Sequence, residues 1–184
     1  MTTAPVLVVI DVQNGYLDPY WGPSNNPECE DNCRQLVSRW RDKGLPIVLV
    51  QHSSASTTSP LRPGQPGHDF QPGIEGPADL VVVKTVHSSF YGTPDLGEWL
   101  SMNGYRNVII CGIMTNYCCE TTARMAGNLG YDVEFVLDAT RTFDQTALDG
   151  STIPADTVAA VTAANLNGEF ATIVSTADVL ARHP

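Results

Sequence analysis

Positively charged residues are scarce in this chain. Its 184 residues include 10 Lys and Arg against 20 Asp and Glu, which gives a formal net charge of −10. Only two of the cations are lysines, Lys43 and Lys84. Nucleic acids and anionic membranes are bound by basic surfaces, so we expect neither as a partner. The shortage of cations also disfavours a strongly anionic substrate.

The chain also lacks long hydrophobic runs. No segment approaches the roughly 20 consecutive apolar residues that a membrane-spanning helix needs. The first residues show no basic region followed by an apolar stretch, so we expect no signal peptide. Five cysteines are an odd number, and a chain of this length does not need disulfides to fold. We therefore expect reduced thiols and a cytoplasmic protein.

Short apolar runs alternate along the chain with amphipathic segments. The runs are nearly continuously apolar, which is typical of strands covered on both faces. This alternation predicts an α/β fold, a parallel sheet with helices on both faces, and one domain over residues 1–184. The predicted strands are residues 6–10, 47–50, 80–83, 108–110, 133–137 and 171–174, and the predicted helices are residues 30–43, 96–103, 117–129 and 155–165.

Two segments interrupt this alternation. Residues 53–79 are rich in Pro, Gly, Ser and Thr, and residues 141–154 form a second, shorter interruption. A long insertion without secondary structure is usually a lid or an interface loop in a compact domain. A solvated surface excursion is the alternative.

Reactive side chains follow three of the predicted strands. Asp11 ends the first strand, Lys84 ends the third, and the fourth leads through residues 112–116 to Cys118. Because open α/β sheets bind ligands outside the carboxyl ends of their strands, we expect these three groups to meet there. A buried Asp11 needs a partner such as Lys84. The alternatives are a turn-capping aspartate and a solvated lysine.

Cys118 and Cys119 begin the predicted helix over residues 117–129. A thiol in a first turn meets unpaired N–H groups and the positive end of the helix dipole, which favours the thiolate. If Asn116 caps the helix, Cys118 falls in the exposed first turn and Cys119 points about 100° further round. Alternatively, both cysteines are small buried residues that pack the helix on the sheet.

Several residues near the same edge are candidates for a substrate pocket. Most of them are aromatic, which favours a small, partly planar substrate, although each could equally belong to the core. The candidates are Gln13, Tyr16, Trp21, His52, Phe90, Tyr91, Tyr117 and Phe143.

Three motifs resemble the isochorismatase-like cysteine hydrolases. These are IDVQN with Asp11, VVVKTVHSSF with Lys84 and GIMTNYCCETTAR with Cys118, and the resemblance continues through LDATRTFD. It implies a three-layer α/β/α fold with a doubly wound, six-stranded parallel sheet. It also implies that the three residues form a catalytic triad in which Cys118 is the nucleophile.

The resemblance further implies a non-proline cis peptide between Ile113 and Met114. In the family, this turn forms an oxyanion hole from backbone N–H groups, which correspond here to those of Met114 and Cys118. Members of the family commonly form dimers or tetramers, often with a neighbour completing the pocket. We therefore expect a homodimer or homotetramer.

Two departures from the family pattern narrow the expected activity. True isochorismatases lack the cysteine, so Cys118 argues against cleavage of a vinyl ether. Nicotinamidases carry an Asp-x-His metal site after the second strand, where this chain reads VQHSS. We therefore expect neither nicotinamidase activity nor a bound metal or other cofactor.

The resulting expectation is an amidohydrolase that cleaves a C–N bond of a small amide, ureido or carbamoyl compound. Asp11 takes the proton of Cys118, Lys84 stabilises the charges, and the sulfur attacks the carbonyl to leave a thioester. The same carboxylate then activates a water. The alternatives are a catalytically silent binding protein and a thiol redox protein that uses Cys118 and Cys119.

Overall fold

The computed structural model describes residues 4–183. Residues 1–3 and residue 184 lie outside the described residues. The expectation that the chain begins without a signal peptide rests in part on residues 1–3. The elements in chain order are β1 (Val6–Ile10), α1 (Cys29–Lys43), β2 (Ile47–His52), β3 (Leu80–Lys84), α2 (Leu96–Met102), β4 (Asn107–Ile113), α3 (Glu120–Asn128), β5 (Asp132–Arg141), β6 (Gln145–Thr146), β7 (Thr152–Ile153), α4 (Ala155–Leu166), β8 (Thr172–Val174) and α5 (Thr176–Arg182).

Six of the strands form one parallel sheet. Their order is β3-β2-β1-β4-β5-β8, and every neighbouring pair is parallel. One hydrophobic core cluster contains residues of α1 and α5, and the other contains residues of α2, α3 and α4. The predicted three-layer, doubly wound fold is therefore confirmed.

The strand order reverses between β1 and β4, which lie side by side. In doubly wound folds the crevice at this reversal is the usual ligand site. Asp11 directly follows β1, and the turn to Cys118 directly follows β4. The topology thus brings two of the predicted site residues to the same crevice.

The structure departs from the predicted helices in two places. The helix predicted over residues 117–129 starts as a π turn, Thr115–Cys119, in which the Cys119 N–H donates to the Met114 carbonyl (3.2 Å), and α3 begins only at Glu120. Helix α5 was not predicted. Its start signal is present, however, since Ser175 and Asp178 form a reciprocal capping box.

Both interrupting segments are more ordered than predicted. Strand β5 extends to Arg141, and β6 and β7 form a small antiparallel pair within residues 141–154. In residues 53–79, Leu61 and Ile74 are buried in the core, and the Gln71 N–H donates to the Val12 carbonyl (3.0 Å). This segment therefore packs in part beside the end of β1, although more than half of its residues are exposed. Its role as a lid or an interface loop stays a prediction.

The helices of residues 4–183 include none that is long and apolar enough to cross a lipid bilayer.

Gly112 is required where β4 passes β1. Its φ is +126°, and a Cβ there would lie 2.0 Å from the Ile10 carbonyl oxygen. We predict that Gly112→Ala lowers the free energy of unfolding by at least about 3 kcal/mol, since backbone strain and overlap with β1 add. The matched control is Gly130→Ala, where φ is +82° but the Cβ would meet open space. It should cost only about 1–2 kcal/mol. Equal losses for the two variants in urea unfolding would contradict the account.

Candidate active site

Asp11 lies where the chain leaves β1. Its N–H donates to the Val50 carbonyl (2.8 Å), and its φ of +55° lies in the left-handed region that aspartate tolerates better than most residues. The side chain is fully buried. Its Oδ2 binds Lys84, whereas its Oδ1 has no hydrogen-bond partner among the described residues. A buried carboxylate oxygen without a partner is free to accept a proton.

Lys84 is the last residue of β3, in register with His52 on β2. Its Nζ lies 2.6 Å from Asp11 Oδ2, 3.2 Å from Cys118 Sγ and 3.3 Å from His52 Nδ1. An ammonium carries three hydrogens, so each has a partner here. The side chains of Lys84 and Asp11 are both 0% exposed. The structure thus brings together the three groups that the sequence placed at one sheet edge.

Cys118 lies in the π turn that precedes α3, and it is only 3% exposed. The expectation that it sits in an exposed, Asn116-capped first turn is wrong. The Asn116 side chain caps no N–H group of the turn and instead accepts a hydrogen bond from the Thr142 hydroxyl. Cys119 is fully buried, and both cysteines are free thiols.

Burial and charge determine the protonation state of this site. Burial raises the pKa of Cys118, the Asp11 carboxylate raises it further, and the opposing effect of Lys84 does not outweigh them. Burial acts to lower the pKa of Lys84, but Asp11 and Cys118 outweigh it and raise that pKa. The resting site therefore holds a neutral thiol beside an ammonium–carboxylate pair. The thiolate expected from a helix N-terminus is not formed at rest.

His52 is held in place by Gln13. The Gln13 Oε1 accepts from the His52 N–H (2.8 Å), and its Nε2 donates to the carbonyls of His52 (3.1 Å) and His68 (2.7 Å). The buried Gln13 amide therefore connects the end of β2, at His52, to the loop that contains His68. Burial and then the Lys84 charge lower the pKa of His52 from 6.5. A neutral His52 can accept a hydrogen bond from the Lys84 ammonium.

His87 is a site residue that the sequence reasoning did not assign. Its Nδ1 lies 3.5 Å from Cys118 Sγ, and its ring contacts the Tyr117 ring at 5.4 Å between centroids. The ring is nearly parallel to that of His52, at 12° and 6.5 Å. In the sequence, His87 could have been assigned to the site only from its position on the loop that directly follows Lys84.

A group of possible metal ligands also lies here. An Asp11 carboxylate oxygen, a His52 ring nitrogen and Cys118 Sγ lie within 4.8 Å of one another. Oxygen, nitrogen and sulfur donors of this kind suit zinc. The Lys84 ammonium, however, contacts all three residues, so a positive charge is already supplied at this point. That the site works without a metal stays a prediction.

Three of the pocket candidates form an aromatic cluster. Ring centroids are 4.9 Å apart for Tyr16 and Trp21, 5.8 Å for Trp21 and Phe143, and 6.2 Å for Tyr16 and Phe143. Tyr16 and Phe143 belong to the same buried core cluster as Val12, which follows Asp11, and Met114, which lies in the turn to Cys118. The cluster therefore packs beside the segments that carry the reactive groups.

The remaining aromatic candidates do not share one location. Phe90 is buried in a core cluster and contacts the Tyr131 ring at 5.8 Å. Tyr91 is 70% exposed. Tyr117 lies beside His87, and its hydroxyl donates to Gln145 Oε1 (2.9 Å). Of these three residues, Tyr117 is the one that borders the site.

The turn between β4 and the π turn has the backbone form that the resemblance implied. The Ile113–Met114 peptide bond is cis, which confirms that expectation. The N–H groups of Tyr117 and Cys119 both donate to the Met114 carbonyl at 3.2 Å.

Comparison with known proteins agrees with this geometry. The family model described as "Isochorismatase domain" matches residues 5–178. A crystal structure of an isochorismatase-family protein from Chromobacterium violaceum has a TM-score of 0.93 and 41% sequence identity, and the match covers 99% of this chain and 94% of that one.

Two curated relatives extend the comparison. An isochorismatase family protein of Bacillus subtilis, YrdC, is 36% identical over 96% of this chain and 94% of its own length. Nicotinamidase 3 of Arabidopsis thaliana is 32% identical over 76% of this chain and 74% of its own. By its family model, its relatives and its fold, this chain belongs to the isochorismatase family of hydrolases, as its three motifs predicted.

Proposed function

We propose that the protein is a cysteine hydrolase that cleaves a C–N bond of a small amide, ureido or carbamoyl compound without a metal. The observation that carries this proposal is the position of the Lys84 ammonium, which contacts Asp11 Oδ2 and Cys118 Sγ at once (2.6 and 3.2 Å). A nucleophile, a proton acceptor and a cation thus meet at one point. The nicotinamidase among the relatives supports an amide-type bond.

In the proposed first step, the sulfur attacks the substrate carbonyl while its proton moves to Asp11. The unpartnered Oδ1 of Asp11 is the acceptor, because Oδ2 is already bound to Lys84. Because the pKa of the thiol is raised, we place the proton transfer and the attack in the same step, so that no free thiolate has to form first. Lys84 stabilises the negative charge as it forms on sulfur.

The oxyanion is held in this proposal by the backbone N–H groups of Met114 and Cys118. The N–H groups on either side of Cys118, those of Tyr117 and Cys119, donate to the Met114 carbonyl. Each such donor is worth about 2.7–4 kcal/mol in well-studied enzymes.

The tetrahedral intermediate then loses its amine. The C–N bond breaks, the leaving nitrogen takes the proton held by Asp11, and the acyl group stays on Cys118 as a thioester. Asp11 and Lys84 are again an ion pair at this stage. Water finally releases the acid and restores the thiol.

Replacement of the two adjacent cysteines tests the choice of nucleophile. We predict that Cys118→Ala abolishes release of ammonia or amine from a panel of small amides and ureides that includes nicotinamide. Cys119→Ala is the matched control and should retain most of the activity, because Cys119 is buried in the core beside α3. Comparable losses in both variants, or peroxide consumption coupled to a dithiol, would undo the assignment.

The rate of iodoacetamide labelling tests the protonation state. Because burial and Asp11 raise the pKa of Cys118, labelling of Cys118 should rise about tenfold per pH unit across the neutral range. Asp11→Asn should speed this labelling at neutral pH, since it removes a charge that opposes the thiolate, yet it should stop turnover.

The buried Cys111 and Cys119 control for unfolding in this experiment, and their labelling should stay slow in both proteins. A rate for Cys118 that is independent of pH across the neutral range would mean a resting thiolate and contradict the proposed step.

A further inference from the structure

The groups of the proposed triad are almost closed to solvent. Asp11 and Lys84 are buried, and Cys118 is 3% exposed. His87 is exposed, and its Nδ1 nevertheless reaches within 3.5 Å of the sulfur. Among the described residues that contact Cys118 Sγ through hydrogen bonds, His87 is therefore the one that faces water.

Hydrolysis of the thioester needs a water molecule, whereas formation of the thioester does not. This water must reach the carbon that has become attached to Cys118 Sγ, and a base must take its proton. Asp11 is fully buried, and one of its oxygens is bound to Lys84. A water activated by Asp11 has to enter the closed interior, whereas a water bound to His87 comes directly from solvent.

The His87 ring lies near two other rings. Tyr117 lies at 5.4 Å between ring centroids, and His52 lies nearly parallel at 6.5 Å. Tyr117 is in turn fixed by its hydrogen bond to Gln145. An exposed histidine that is positioned in this way is suited to a defined role in proton transfer.

We propose that His87 is the catalytic base of the second half-reaction, an inference that rests on the function proposed above. The Nδ1 of His87 takes a proton from water as the water oxygen bonds to the thioester carbonyl carbon. The C–S bond then breaks, the acid leaves, and the Cys118 sulfur regains its proton from the His87 imidazolium. This assignment replaces the expectation from sequence that Asp11 activates the water.

p-Nitrophenyl acetate separates the two half-reactions without knowledge of the natural substrate. Its nitrophenolate leaves without needing a proton, so the initial burst reports acylation of Cys118 and the later steady rate reports deacylation. We expect His87→Gln to keep a burst of about one nitrophenolate per protein molecule and to slow the steady rate about 10²-fold, the lower end for general-base catalysis.

Two further measurements distinguish a base from a structural residue. Added imidazole should restore the steady rate of His87→Ala and leave that of the wild-type protein nearly unchanged. The matched control is His183→Gln, because His183 lies with Asn107 and Asp132 at the opposite edge of the sheet. This control should keep both phases unchanged.

Each other outcome overturns the assignment. A slower burst in His87→Gln would place His87 in acylation, and an unchanged steady rate would remove it from deacylation. If His87→Gln gives no burst, or if Cys118→Ala gives the same burst as the wild-type protein, the nucleophile itself is wrong and the proposed function fails with it.

Discussion

The buried ion pair between Lys84 and Asp11 is the interaction on which the rest of the site depends. Either charge alone would be costly at this depth, because removal of one partner leaves the other unpaired away from water. Their 2.6 Å contact joins the carboxyl ends of β1 and β3, and His52 on β2 accepts the third ammonium hydrogen. Three neighbouring strands are thereby linked through one nitrogen atom.

The same pair determines the state of the thiol. The Lys84 ammonium lies 2.6 Å from Asp11 Oδ2, and burial together with Asp11 raises the pKa of Cys118 and keeps the thiol protonated. The unpartnered Asp11 oxygen is then the natural destination for the thiol proton once a substrate carbonyl is attacked. In the proposed mechanism, Cys118 thus stays a thiol at rest and loses its proton only as it attacks a substrate carbonyl. The exposed His87 then takes the proton of the water that releases the acyl group.

The fold and the meeting of the three reactive groups were predictable from sequence because both follow from strand position. Continuous apolar runs mark buried parallel strands, and Asp11, Lys84 and Cys118 follow three of them. The protonation of Cys118 was not predictable, since it depends on burial and on the distance to Asp11. His87 and the π turn were missed because they depend on the path of a loop and on one hydrogen bond from Cys119 to Met114.

The measurement that tests the central claim most directly is the infrared S–H stretching band of Cys118 in the resting protein at neutral pH. A difference spectrum between the wild-type protein and Cys118→Ser removes the contribution of the four other thiols. The account predicts an S–H band that is present in the wild-type protein and lost in the variant. No difference in this region would show a thiolate at rest and contradict the proposed transfer of the thiol proton to Asp11.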